Sequence, residues 1–345
     1  MEVLEFDSKK KELCLLEVPV PPKLSDHDVL VKVAYAGICG SDLKMLSGDI
    51  PVADKIILGH EICGTVAETG KEVDSVIPGD RVAIDPNSGC GVCPECADGN
   101  YHYCECGGGN NYVGVFRNGG WAEYCVVPAR QAFLIPKNMA FELAALTEPL
   151  SCISHGWDKI QPLQIGKRIL ILGAGIAGNL YACLFHLNGH RKVTVCEPQE
   201  GRRKIFDDID TGFEIITPNQ LKERKAKCPN WKVDVVVDCS GNVNALEDAV
   251  ELLNNGGLLS IYGLAPPQAK FRVSPFLLFE KELTINSVLL NPFCFRKSMK
   301  YIAALNFRYL GFEKLGVQVF KLKDFEEAIR ALKSGCISKA IFKMI

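Results

Sequence analysis

Short apolar segments separated by glycine and proline turns fill the first 150 residues of the chain. The segments have the length of strands, and the turns recur too often to leave room for long helices. The pattern predicts a β-rich region built as a barrel or sandwich. Its strands are predicted at residues 29–34, 62–68, 82–84 and 121–127.

The pattern changes at about Lys159, where apolar strands begin to alternate with helical periods. This alternation is typical of a parallel, doubly wound α/β sheet. Strands are predicted at 168–172, 192–196, 234–238 and 258–262, with a helix over 244–253. After Asn291 the pattern predicts a helix at 298–305, a strand near 315–321, a helix at 325–334 and a closing strand at 339–344.

Composition indicates a soluble enzyme of two domains. The chain has 345 residues, of which 48% are hydrophobic and 23% charged. A formal net charge of −2 offers no basic surface, which argues against a nucleic-acid partner. The first twenty residues lack the apolar core of a signal peptide, and glycines interrupt the most apolar run, 169–187. We therefore expect a cytoplasmic protein with no membrane partner and with reduced thiols.

A Gly-x-Gly-x-x-Gly motif follows the strand predicted at 168–172 and opens a helix. Gly173 permits a tight turn, Gly175 lets the backbone approach a pyrophosphate, and Gly178 lets the helix pack closely on the strand. Ile176 and Ala177 begin the helix, whose first N–H groups attract anions. The context predicts a dinucleotide site rather than an ordinary tight turn.

The end of the next predicted strand bears on the choice of dinucleotide. Glu197 lies there, 19 residues after Gly178. An acid at this position accepts hydrogen bonds from ribose hydroxyls and repels a 2′-phosphate, so it favours NAD over NADP. Arg202 and Arg203 follow closely and keep NADP open as an alternative.

Four cysteines in one loop have the spacing Cys-x2-Cys-x2-Cys-x7-Cys, at Cys90, Cys93, Cys96 and Cys104. Zn²⁺ favours four thiolates in a tetrahedron. Disulfide scaffolds are usually short, whereas this chain is long, so the 16 cysteines do not indicate one. The loop leaves no open coordination position, which predicts a structural zinc that braces residues 87–109. Cys106 lies beside this site and is assigned no role.

A second set of candidate metal ligands is dispersed along the chain, at Cys39, His60, Glu61 and Glu148. A thiolate, an imidazole and carboxylates can bind Zn²⁺ and leave one position open, as a catalytic metal requires. Each of these residues is a weak signal alone, because an isolated histidine is more often an ordinary structural residue.

Taken together, these motifs resemble those of the zinc-dependent medium-chain alcohol dehydrogenases. The matching segments occur in the family's order: GICGSD at 37–42, GHE at 59–61, the four-cysteine loop, EPL at 148–150 and the glycine motif. Glu148 stands where many members have a cysteine ligand, and in this the chain is similar to the polyol (sorbitol) and threonine dehydrogenase branch.

The resemblance implies a GroES-like β-barrel catalytic domain formed by residues 1–152 and 292–345. A Rossmann domain, residues 153–291, would be inserted into it, and the cleft between them would hold nicotinamide and zinc. Two zinc ions per chain and NAD, with NADP as the alternative, are the implied cofactors. An apolar segment, 283–290, is predicted to form a sheet edge, which favours a homodimer or homotetramer.

The resemblance also implies roles for residues. Cys39, His60 and Glu61 would hold the catalytic zinc, with Glu148 as a direct or water-mediated partner. Cys152 would contact the nicotinamide from the barrel side. Lys339 would contact the pyrophosphate or, as the alternative, would be a solvated strand charge.

The implied reaction is the reversible, NAD-linked oxidation of a secondary alcohol or polyol to a ketone. Zinc would lower the pKa of the substrate hydroxyl. Ser41 would relay its proton and Asp42 would orient His60, although a Ser-Asp pair after glycine also suits an ordinary turn. Lys44 replaces the relay histidine found in other members, which leaves the outer proton path open. A substrate pocket is expected around Ser41, Leu46, Tyr112, Phe116, Trp121 and Asn291.

Two kinds of alternative stay open. L-threonine or a simple diol could be the substrate on the same scaffold. The alternative of another class is a non-catalytic binding or structural derivative of the fold, which would have no need of an open metal position.

Overall fold

The computed structural model describes residues 1–105 and 112–344. The first part of the chain is rich in strands, as predicted. Its strands are β1 (Glu2–Asp7), β2 (Glu12–Glu17), β3 (Asp28–Ile38), β4 (Ile56–Ile57), β5 (Glu61–Thr69), β6 (Arg81–Ile84), β7 (Tyr124–Pro128) and β8 (Ala132–Leu134). Its helices are α1 (Gly40–Ser47), α2 (Pro94–Ala97), α3 (Phe141–Ala144) and α4 (Thr147–Lys159).

Strands and helices alternate in the following part of the chain. Its elements are β9 (Ile169–Leu172), α5 (Ile176–Leu187), β10 (Val193–Cys196), α6 (Glu200–Asp207), β11 (Glu214–Ile216), α7 (Pro218–Lys227), β12 (Val233–Asp238), α8 (Val243–Val250), β13 (Leu253–Ile261), α9 (Pro275–Lys281) and β14 (Thr284–Ser287). The chain closes with α10 (Phe295–Leu310), β15 (Val317–Phe320), α11 (Phe325–Ser334) and β16 (Lys339–Lys343).

A parallel sheet of six strands has the order β11-β10-β9-β12-β13-β14. Counted from β9, this is the 3-2-1-4-5-6 order of a Rossmann sheet. All four residues of β9 are buried, because helices cover both faces of its strands. The order reverses between β9 and β12, so a crevice opens at their carboxyl ends, where such sheets bind ligands. The predicted doubly wound sheet is confirmed.

A second sheet joins the two ends of the chain, in the order β15-β16-β3-β5-β6-β8 with β7 also paired to β3. The closing strand β16 runs antiparallel to β3, with Ala340 opposite Ile38. Residues that are about 300 positions apart therefore share one sheet, as a GroES-like domain with an inserted Rossmann domain requires. The predicted fold class is confirmed.

Some predicted elements differ in extent. The strand predicted from Trp121 begins at Tyr124, because the backbone of Trp121 bonds to Leu58 and Leu4 instead of to β3. The Trp121 side chain is fully buried, and its indole N–H donates to the carbonyl of Gly37 at 3.0 Å. The hairpin β1–β2, which the charged sequence did not predict, forms a separate sheet with β4. Within residues 1–105 and 112–344, every helix is too short or too polar to cross a membrane.

Candidate active site

The glycine motif lies at the sheet's switch point, between β9 and α5. Gly173 has a φ of 97° and makes the turn. A Cβ on Gly178 would lie 1.9 Å from the carbonyl oxygen of Gly173, so the helix can begin this close to the strand only with glycine there. A Cβ on Gly175 would meet only Arg202, at 4.0 Å, and the start of α5 therefore faces open space. This geometry fits a pyrophosphate at the helix N-terminus.

Glu197 is nearly fully buried at the end of β10 and holds the glycine turn in place. Its Oε2 accepts a hydrogen bond from the backbone N–H of Ala174, and its Oε1 accepts one from Gln199, both at 2.8 Å. The Arg202 guanidinium lies 4.0 Å from the same carboxylate. Each carboxylate oxygen can accept a further hydrogen bond, so this arrangement is compatible with a ribose hydroxyl as a partner. Contact with a ribose stays a prediction. Arg202 places a positive charge at this edge, which keeps NADP open.

Strand pairing brings the first three predicted metal ligands together. Cys39 follows β3 and caps α1, whereas His60 and Glu61 lie at the start of β5. In the β3–β5 pair, Gly37 lies opposite Glu61. The ligand atoms of Cys39, His60 and Glu61 all lie within 4.8 Å of one another. A thiolate, an imidazole and a carboxylate at this spacing fit a zinc ion.

Asp42 fixes the orientation of two of these ligands. Its Oδ2 accepts the backbone N–H of Cys39 at 2.7 Å, and its Oδ1 lies 3.2 Å from Nδ1 of His60. The Nε2 of His60 then points away from this carboxylate and lies 3.4 Å from Oγ of Ser41. Burial alone would lower the pKa of His60, but Asp42 and Cys39 raise it well above its usual value. The electrostatic potential around His60 is therefore negative, which favours a bound cation.

Lys339 lies among these negatively charged groups, and the alternative that it is a solvated strand charge is wrong. The residue is 1% exposed, and its Nζ forms an ion pair with Glu61. Burial alone would lower the pKa of Lys339, but Glu61 and Cys39 raise it, so the lysine stays charged. An unpaired buried ammonium would be costly, and the ion pair offsets part of that cost. The ammonium group that was predicted to contact the pyrophosphate is thus engaged by a candidate zinc ligand.

Glu148 and Cys152 occupy the first turns of α4. The Cys152 thiol donates to Oε1 of Glu148 at 3.5 Å, and both side chains are largely buried. Glu148 does not belong to the group whose ligand atoms lie within 4.8 Å. Burial raises the pKa of Glu148 to about 7 against the attraction of His60, while nearby Glu61 adds to the rise. A direct or water-mediated contact between Glu148 and a metal therefore stays a prediction.

The four loop cysteines, Cys90, Cys93, Cys96 and Cys104, also converge, with all four sulfur atoms within 4.8 Å of one another. Backbone N–H groups of Cys93 and Cys90 donate to the sulfurs of Cys90 and Cys104, each at 3.3 Å. Such bonds favour thiolates over thiols. The donor set fits a closed zinc site. Cys106 lies outside the described residues.

Sequence reasoning missed two features near these sites. Lys44 Nζ donates to the carbonyl of Leu264 at 2.6 Å, so the residue at the relay position connects α1 with the loop after β13. Asn291, predicted to line a substrate pocket, is fully buried in a polar network with Asp85 and Ser151. The partners of Lys44 and Asn291 are more than a hundred residues away in sequence, and no local signal could have identified them.

Comparisons with known proteins agree with this architecture. The model of the alcohol dehydrogenase GroES-like domain matches residues 25–137, and the model of the zinc-binding dehydrogenase matches residues 176–306. D-arabinitol dehydrogenase 1 of Uromyces fabae is 33% identical over 97% of this chain and 95% of its own. L-threonine 3-dehydrogenase of Pyrococcus furiosus is 31% identical over 96% of this chain and 94% of its own.

Solved structures with the same fold cover 99% of this chain. A Sinorhizobium meliloti 1021 structure bound to NADP has a TM-score of 0.89 and 29% identity, covering 99% of this chain and 98% of its own. A short chain alcohol dehydrogenase from E. coli CFT073 in complex with NADH has a TM-score of 0.88 and 27% identity, covering 99% of both chains. The chain therefore belongs to the zinc-dependent medium-chain alcohol and polyol dehydrogenase family.

Proposed function

We propose that the protein oxidises a secondary alcohol or polyol reversibly to a ketone, with NAD as hydride acceptor and a zinc ion held by Cys39, His60 and Glu61. The observation that carries this proposal is the convergence of three unlike ligands within 4.8 Å. A non-catalytic derivative would have no use for a thiolate, an imidazole and a carboxylate arranged with an open position. A zinc bound there would supply Lewis-acid polarisation of the substrate oxygen.

The chain's own residues hold the ligands and move the proton. Asp42 holds His60 and the backbone of Cys39 in fixed positions. Ser41, whose hydroxyl is 3.4 Å from the His60 ring, would accept a hydrogen bond from a substrate hydroxyl and take up its proton while passing on its own. Lys44 is engaged with the Leu264 carbonyl, so the path beyond Ser41 differs from one that uses a relay histidine. Glu148 and Cys152 border the same site, Cys152 towards the proposed nicotinamide position.

The four-cysteine loop would hold a second, structural zinc. Its sulfurs already lie within 4.8 Å of one another and receive backbone hydrogen bonds. Four thiolates saturate a tetrahedral ion and leave no position for substrate. The role of this site is thus to stabilise the four-cysteine lobe, residues 87–109.

A polyol is the proposed substrate, with L-threonine or a diol as the alternative. One relative is named a D-arabinitol dehydrogenase and another an L-threonine 3-dehydrogenase, at 33% and 31% identity. We further propose a cytoplasmic homodimer or homotetramer, because β14 is an edge strand of its sheet and can pair with a second copy. The proposed domains remain 1–152 with 292–345, and 153–291.

Absorbance of reduced nicotinamide tests this function. The zinc-loaded protein is incubated with NAD or NADP and with polyols, L-threonine, diols and simple secondary alcohols. We expect turnover with a polyol and loss of turnover in His60→Ala, which removes a ligand. Lys300→Ala, an exposed substitution on α10, is the control. Absence of turnover with every compound and both cofactors would favour the non-catalytic derivative.

The ratio of kcat/KM for the two cofactors tests the choice between them. We expect a higher value with NAD, because Glu197, which directly follows β10, is the proposed partner of the ribose hydroxyls. A higher value with NADP would show that Arg202 governs the selectivity.

A further inference from the structure

The connection between β14 and α10 has a strained backbone. Leu290 has a φ of 61° and Phe293 a φ of 55°, a region that bulky non-glycine residues rarely occupy. Such conformations persist only where surrounding contacts hold them in place. The two residues flank Asn291 and Pro292, and the buried contacts of Asn291 constrain the backbone between them.

The Asn291 side chain is fully buried and uses both ends of its amide. Its Nδ2 donates to Oδ1 of Asp85 at 3.1 Å and to Oγ of Ser151 at 2.7 Å. Its Oδ1 accepts a hydrogen bond from Nδ2 of Asn87. Both donor hydrogens and one acceptor site are thus satisfied without water. A carboxylate of the same shape would offer no donor to either Asp85 or Ser151.

These partners come from three different parts of the molecule. Asp85 directly follows β6 of the barrel sheet, and Asn87 leads into the four-cysteine lobe. Tyr101 of the same lobe donates its hydroxyl to Oδ2 of Asp85 at 3.5 Å. Ser151 lies on α4. One amide therefore connects the barrel, the lobe and α4 to the segment that leaves the Rossmann sheet.

Ser151 carries this connection to the active site. Its hydroxyl donates to the backbone carbonyl of Glu148 at 2.6 Å. Because that bond uses the only hydrogen of the hydroxyl, Ser151 can meet Asn291 only as an acceptor. Ser151 lies between Glu148 and Cys152 on the same helical turns, and both of those side chains border the proposed zinc site. Hydrogen bonds arranged in one direction strengthen one another.

We propose that Asn291 is a positioning residue. Through Ser151 it fixes the first turns of α4, and with them Glu148 and Cys152, against the barrel. This inference rests on the proposed function for its kinetic consequences. The strained connection between β14 and α10 then has a role. It holds the Asn291 amide where it links the position of the Rossmann domain to the positions of Glu148 and Cys152.

Asn291→Asp tests the proposal with a side chain of unchanged shape. Both donated hydrogen bonds are lost, and a carboxyl group faces Asp85. We expect kcat to fall by about 10–10²-fold with zinc content unchanged, because a misplacement of 1 Å can cost about 10²-fold in rate. Protein loaded with cobalt(II) in place of zinc gives a second readout, since its visible absorption reports geometry around the metal.

Asn286→Asp is the matched control. Asn286 lies on β14, and its Nδ2 donates at 3.0 Å to the carbonyl of Lys159 on the same helix α4. Lys159 is eleven residues beyond Glu148, about 16 Å along the helix axis. We expect this substitution to leave kcat and the cobalt spectrum unchanged. Equal losses in the two variants would show general destabilisation and overturn the proposal.

Two further variants separate positioning from folding. The double variant Asp85→Asn, Asn291→Asp restores a donor and an acceptor between the two positions, but it leaves Ser151 without its donor. We expect thermal stability to recover and the cobalt spectrum to stay altered. Ser151→Ala should give the same spectral change. It replaces Asn291→Asp as the test if Asn291→Asp does not fold. Wild-type spectra in both Ser151→Ala and the double variant would overturn the proposal.

The two proposals can fail separately. Wild-type protein that binds cobalt(II) but turns over no alcohol would contradict the proposed function and leave the spectral test in force. Wild-type protein that turns over a polyol while Asn291→Asp keeps its kcat and spectrum would contradict only the positioning role.

Discussion

Asp85 gives a prediction about the pH dependence of stability. The residue is 4% exposed, and its carboxylate accepts hydrogen bonds from the backbone of Asn87, from Asn291 and from Tyr101. Burial raises the pKa of Asp85 from 3.8 to about 7, although these three donors act to lower it. Burial also raises the pKa of Tyr101, so the phenol remains a donor throughout this range.

The sign follows from proton binding. Between pH 4 and 7 the folded protein retains a proton on Asp85 that the unfolded chain releases. The contribution of Asp85 to the free energy of unfolding therefore falls as the pH rises through this window, and it is constant above pH 7. A pKa difference between 3.8 and about 7 corresponds to about 4 kcal/mol over the window.

Asp85→Asn removes this titration and keeps the side-chain shape. We expect the variant to gain stability relative to wild type by a few kcal/mol between pH 4.5 and pH 7.5, measured by urea unfolding at several pH values. Taking the difference cancels the other titrating groups. Asp26→Asn, at an exposed residue paired with Lys71, is the control and should follow wild type at every pH. Parallel curves for Asp85→Asn and wild type would refute the reasoning.

Four other substitutions address the proposed sites. Cys93→Ser should reduce zinc from two ions per chain to about one and lower Tm, because the four-cysteine cluster loses a ligand; elemental analysis that finds two ions would contradict this. Ser41→Ala should lower kcat by about 10²–10⁴-fold at unchanged zinc content, and near-normal turnover would reject the relay. Gly178→Ala should lower Tm and weaken NAD binding, whereas Gly175→Ala should weaken only NAD binding, because its Cβ meets just Arg202. Thermal melts and NAD titrations separate the two, and equal Tm values would refute the distinction.

Much of the fold was predictable because its signals are local. The apolar run before Gly173 indicated a buried parallel strand, and the glycines indicated the turn that follows it. The hairpin β1–β2 gave no such signal, since five of the six residues of β2 are exposed and the strand has no buried face to show a period of two. Strand pairing also explains why Cys39 and His60 converge, but only a family resemblance linked them in the sequence.

Long-range polar pairs mark the limit of sequence reasoning in this protein. Lys339 on a strand is expected to be exposed, because a lysine is rarely buried without a partner. Its partner, Glu61, is 278 residues away in sequence, and only the pairing of β16 with β3 and of β3 with β5 brings the two together. Asn291 is similar, since its side-chain partners are 140, 204 and 206 residues away. Both residues contact groups at the proposed active site or one step from it. The polar side chains whose environment the sequence predicted least well are therefore the ones that join the separate parts of the chain around the chemistry.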